Sequence, residues 1–273
     1  MTRKSRGRLE RDRQKMPRRD NIATVTVDRE NQKIVYTTND MLVNQLYRDG
    51  PRVAKSFDRR TKEVVEECSA VLGQVSGLIL QHLRQAEKDN FEATVAGLLY
   101  SATNSYVASI QVARHGYPRQ YGALARMLIE TISMVIVLAI RPGALVDFHA
   151  GKLDSNKCVG WSKAVLPPLG HFWGMLSREF VHISRNHATF EGPVAFTETD
   201  EALDFIKTSM KGNIWLLFIV ADLVFHDERK TIRFWRREGQ AAHFDPSPEI
   251  LEWSARFVGE GFVKQAEEGA SAP

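Results

Sequence analysis

Cysteine is scarce in this 273-residue chain: only Cys68 and Cys158 occur, and no Cys-x-x-Cys pair exists. That excludes a disulfide scaffold and paired-thiolate zinc ribbons, and it points to a reducing compartment. Signature loops are missing too. There is no Walker A loop, no G-x-G-x-x-G following a strand, no H-E-x-x-H and no G-x-S-x-G, so the commonest phosphate-binding, zinc-protease and serine-hydrolase chemistries lose their usual carriers. Uncharged apolar runs of membrane-spanning length are also absent. The most apolar stretch, Leu124 to Ile140, carries Arg126 and Glu130, and "IWLLFIVADLVF" carries Asp222. Both read as core helices of a soluble, cytoplasmic protein that makes no membrane contact. The first twenty residues are charged throughout, which argues against a secretory leader.

The chain is 43% hydrophobic and 26% charged, enough apolar material for a sizeable core. Its basicity is local. Residues 1–20 hold nine Lys/Arg against three Asp/Glu, a net of +6, while the whole chain is +4, so the other 253 residues carry about −2. This segment reads either as a disordered solubilising tail or as an arm for nucleic acid.

The tail gives way to "NIATVTVDRENQKIVYTTND", where Val25 and Val27 alternate with polar residues, "DREN" turns, and Ile34, Val35 and Tyr36 follow. This predicts a small β-hairpin, which must pack on helices or pair with another chain because an isolated hairpin is marginal. A short capped helix ending near Asp49-Gly50-Pro51 completes an appendage over 21–50. From 51 to 268 the periodicity is helical, giving an all-α bundle. Within it Gly116 and Pro118 separate two long helices, Pro167-Pro168 interrupts the chain, and Gly212 marks a weak point in the helix that starts near Asp200.

Three places could carry chemistry. Arg126 and Glu130 are the only charges in the apolar stretch 124–140 and stand four apart, on one face. The preceding helix carries a stripe of small and polar residues, Gly97, Ser101, Asn104, Ala108, Gln111 and His115, that could face them. A buried ion pair fixing helix register and a ligand or catalytic site both fit. In "HFWGMLSREFVHIS", a step of about 100° per residue puts Trp173, Leu176, Phe180 and Ile183 on a core face. The same step groups His171, Met175, Arg178, His182 and Arg185 opposite, with Ser177 between. That His/Arg side is either a solvated face or one wall of an anion-binding groove with histidine as acid or base. Finally, Asp222 and His226 stand four apart; a carboxylate–histidine hydrogen bond is the simpler reading, since no third metal ligand is spaced to join them. No metal or cofactor is called for.

"ALARMLIETISMVIVLAI", followed by "LSREFVHIS", resembles a bacterial all-helical domain family of unknown function whose members pair an Arg-x-x-x-Glu helix with a Leu-Ser-x-x-x-x-His helix. The residues that match are Arg126, Glu130, Leu176, Ser177 and His182, within a resemblance spanning roughly residues 60–230. The turn "HGYPRQYGALAR" fits as well. More remotely the chain is similar to HEPN helical bundles, many of them dimeric ribonucleases of toxin or antiviral systems with an Arg-x(4–6)-His motif. Arg178 and His182 stand closer than that spacing; Arg237 and His243 match it but span Gly239. The resemblance implies the helical fold. It leaves two functional expectations: a binding module for a ligand, nucleic acid or protein partner, in phage defence or stress, or a metal-independent ribonuclease, working as a homodimer, that uses His182 with Arg178 and draws on Arg126 and Glu130. Asn104, Gln111, Ser177 and His171 are the candidate ligand contacts.

Overall fold

The computed structural model describes residues 19–85, 90–183, 185–188, 193, 195–225, 233–238 and 241–270. The expected basic tail lies outside these residues apart from Arg19 and Asp20, as do Ser184, His226 and Gly239.

The chain is an all-α bundle with a small N-terminal hairpin, as the periodicity predicts. Strands β1 (Ile22–Asp28) and β2 (Lys33–Thr38) pair antiparallel. Their turn is closed by the Asp28 carboxylate, which accepts from the Asn31 backbone N–H at 3.0 Å and its side-chain amide at 2.9 Å. Helix α1 (Met41–Asn44) follows. It does not stop at Gly50-Pro51. A π-helical turn, Gln45–Asp49, carries the chain directly into α2 (Gly50–Gln85), with Pro51 the second residue of α2.

Helices α3 (Phe91–Arg114) and α4 (Pro118–Ile140) form the expected hairpin. Asn90 caps α3 by accepting from Ala93 N at 2.7 Å, and Pro118 opens α4. Short helices α5 (Ala144–His149), α6 (Ser155–Ser162) and α7 (Pro167–Leu176) wrap the α4 side of the bundle. Helix α8 (Glu201–Val224), capped by Asp200, packs against α2, α3 and α4. It runs unbroken through Gly212. There the missing side chain makes room for the tip of Phe172, which would lie 2.7 Å from a Cβ. The closing segment, α9 (Pro248–Val258) and α10 (Glu260–Ala270), divides at Gly259.

Two expectations need correction. The stretch after α8 is not wholly helical or loop: β3 (Trp235–Glu238) and β4 (Ala241–Phe244) form a second antiparallel hairpin, in which Trp235 faces Phe244. And His171–Ser184 is not one helix. α7 ends at Leu176, a π-helical turn covers Ser177–Val181, and His182 is already extended at φ −71°, ψ 122°.

Helix α4 is the described helix long and apolar enough to cross a bilayer by length and composition. Here it is the centre of the bundle, with Ala125, Leu128, Ile129, Ile132, Val135 and Ile136 sealed among α3, α6, α7 and α8.

Candidate functional site

Arg126 and Glu130 meet as the i, i+4 spacing requires. Both Nε and one terminal nitrogen of Arg126 lie 2.9 Å from Glu130 Oε1. The same oxygen accepts from the indole N–H of Trp173 at 2.9 Å, and the guanidinium carbon sits 5.0 Å from that ring's centroid. One carboxylate thus ties α4 to α7. The side chains keep 17% and 22% of their exposure, so the cluster lies at the rim of the core. Trp173 was expected on a purely apolar face, yet its N–H is what completes the cluster.

The other candidates do not gather there. Asn104 and Gln111 lie on the exposed face of α3 with Ser101 and Ala108. The buried face consists of Val95, Leu99, Ala102, Tyr106 and their neighbours, so the polar stripe faces solvent. Ser177 is buried and donates to the Trp173 carbonyl at 2.6 Å, a bond within its own helix. His171 is exposed. Arg178 is 74% exposed and pairs with its neighbour Glu179. His182 is exposed, and its backbone N–H closes the π turn on the Ser177 carbonyl at 2.8 Å. Neither Arg178 nor His182 bonds to Arg126 or Glu130. The reason is the π turn, which adds a residue to the turn and breaks the common face inferred from a regular helix.

Asp222 is fully buried, and Oδ2 accepts from the backbone N–H groups of Arg233 and Phe234, both at 3.1 Å. It anchors the start of the second hairpin. Among the described residues no three His, Cys, Asp or Glu side chains gather to hold a metal ion.

A concave site that the sequence reading missed lies between α2, α8 and α9, beside Arg233. It encloses about 590 Å³, within the range of small-ligand pockets. Its apolar lining sets three aromatic rings beside Ala70, Val71 and Ile250. Trp253 and Phe257 stack at 5.3 Å and 9°, and Phe218 meets Trp253 edge-on at 6.1 Å and 88°. Its charge is unbalanced: Lys211, Arg233 and Arg256 stand against Glu67. Lys211 Nζ lies 2.5 Å from Glu67 Oε2 and 5.4 Å from the Phe257 centroid. Arg233 donates to Gln74 Oε1 at 3.1 Å and lies 5.5 Å from the Phe218 centroid. Arg256 is exposed and makes no ion pair with a described residue. Because Asp222 holds the Arg233 backbone, the buried carboxylate also positions a cation at the groove.

An all-α bundle with a cationic, aromatic-lined groove defines a class of fold and site. Comparison with protein-family models, curated proteins and solved structures finds no match for the chain.

Proposed function

We propose that this protein is a cytoplasmic, non-catalytic binding module whose groove between α2, α8 and α9 takes a small anionic ligand with a flat apolar body. The surplus of two positive charges over stacked aromatic rings carries this reading. Rings bury a flat ligand's faces, and guanidinium groups beside them pair with carboxylate, sulfonate or phosphate. The hydrogen bond of Arg233 to Gln74, the ion pair of Lys211 with Glu67 and the cation–π contacts of both with Phe218 and Phe257 hold those cations in place, so less entropy is lost on binding.

The ribonuclease reading has less support. Acid–base catalysis needs His182 beside a second polar group. Its side chain is exposed and makes no hydrogen bond or ion pair with a described residue.

Calorimetric titration with naphthalene-1-sulfonate, set against neutral naphthalene-1-methanol, tests the proposal. The sulfonate should bind and the alcohol should bind at least ~10-fold more weakly. Arg256→Ala, which breaks no ion pair, should cost the sulfonate about 10-fold or more. Equal binding of both compounds, or no loss in the variant, would overturn it.

A further inference from the structure

The groove between α2, α8 and α9 carries its positive charge at the two ends of a row of rings. Arg233 lies 5.5 Å from the Phe218 centroid, and Lys211 Nζ lies 5.4 Å from the Phe257 centroid. Trp253 joins those two rings, meeting Phe218 edge-on at 6.1 Å and stacking on Phe257 at 5.3 Å. The row therefore runs Phe218, Trp253, Phe257, with a cation beside its first ring and another beside its last. Helix α8 sets its length. Lys211 and Phe218 both line the groove from that helix, two turns apart along one face, or about 10 Å. Neither end is neutral. Gln74 Oε1, which accepts from Arg233, is uncharged, so it places the guanidinium without cancelling its charge. Glu67 offsets Lys211, but Arg256, the residue before Phe257, restores the surplus at that end.

We infer, building on the reading of this groove as an anion site, that its ligand is an elongated aromatic dianion, with one carboxylate or sulfonate at each end of a flat body of two linked rings. A ligand with one anionic group neutralises one end and leaves its apolar body against the other cation, which then gives up water without gaining a counter-charge. A second group at the opposite end meets that cation in a charge-assisted hydrogen bond. The rings between them bury the faces of the body. Because linked rings are stiff along their length, docking one head group brings the other to its cation, and the second contact costs little further ordering. A monoanion has a preferred end. Arg256 is exposed and makes no ion pair with a described residue, whereas Arg233 is already held by Gln74.

Calorimetry with three biphenyl acids on the full chain tests this, with neutral biphenyl-4-methanol as the reference. Biphenyl-4,4′-dicarboxylate, charged at both ends, should bind at least ~10-fold more tightly than biphenyl-4-carboxylate. Biphenyl-3,4-dicarboxylate, with both charges at one end, should stay within ~3-fold of the monoacid. Arg233→Gln should remove the advantage of the end-to-end diacid and leave the monoacid within ~2-fold of its wild-type affinity. Should that change disturb the segment after α8, Gln74→Glu gives the same reading from the exposed surface of α2, by setting a counter-charge on Arg233. Equal binding of the monoacid and the end-to-end diacid, an equally tight 3,4-isomer, or an advantage that survives both variants overturns the inference. In each of these cases the anion reading stands as long as the acids outbind the neutral alcohol; acids no tighter than the alcohol would overturn both.

Discussion

Glu130 Oε1 accepts from Arg126 and from the Trp173 indole, each at 2.9 Å. Removing its charge therefore affects two helices at once. Glu130→Gln should lower stability by about 1–3 kcal/mol, because a partly buried guanidinium loses its counter-charge. Trp173→Phe keeps most of the ring and loses one donor, costing about 1–2 kcal/mol. The two changes share one hydrogen bond, so a double-mutant cycle in urea should return a coupling of about 0.5–2 kcal/mol. Strict additivity would mean that the indole–carboxylate bond contributes nothing. At this scale the sequence was informative in one direction only. Two opposite charges four apart on an apolar helix lie within reach of each other. The third member stands 43 positions away on another helix, and an indole's apolar bulk concealed the polar use of its N–H. Asp222 shows the same limit: its i+4 histidine drew attention, while the described partners are backbone N–H groups that no side-chain pattern records.

The turn that ends α7 shows how one element decides what its residues can do. Phe180, in the π turn, lies over Gly122 of α4, so close that a Cβ there would fall 2.3 Å from its ring. Gly122→Ala must push the ring and its turn outward, and should cost about 1–3 kcal/mol by overpacking. Adding Phe180→Leu should recover part of that loss, because it vacates the contested space. Thermal unfolding of the two variants checks it; a Gly122→Ala protein as stable as the wild type would show that the turn yields freely. The π turn was not legible because its sequence is a regular amphipathic pattern, and nothing in Ser177–Val181 forbids an α-helix. Tertiary contact with Gly122 holds it. The β3–β4 hairpin escaped notice because four-residue strands give too few alternations to stand out from a helix end. The long helices were legible, since α2, α3, α4 and α8 each repeat their apolar spacing over many turns.

At the scale of the whole molecule, the groove joins residues from Glu67 to Phe257. No local window contains more than a fraction of it, so only the fold brings its cations and rings together. The same packing fixes the response to alkali. Tyr106 and Tyr121 lie in the α2–α3–α4–α8 interior, fully or nearly fully buried. Loss of hydration pushes both phenols above their ordinary value. The unfolded chain ionises these tyrosines near pH 10 while the native state holds their protons, so their contribution to stability is whole below pH 10 and falls as pH rises beyond it. With two such groups, the loss of unfolding free energy should steepen through pH 10 toward about 3 kcal/mol per pH unit once the unfolded phenols are fully ionised. Cys68, whose thiol burial also pushes up, should start a shallower decline near pH 8.5. Tyr121→Phe removes a titrating group without removing its ring, so it should make the decline above pH 10 shallower by the share of one proton in urea titrations at stepped pH. An unchanged slope would mean that hydroxide reaches Tyr121 in the native state and that the interior of the bundle opens well below the cost of global unfolding.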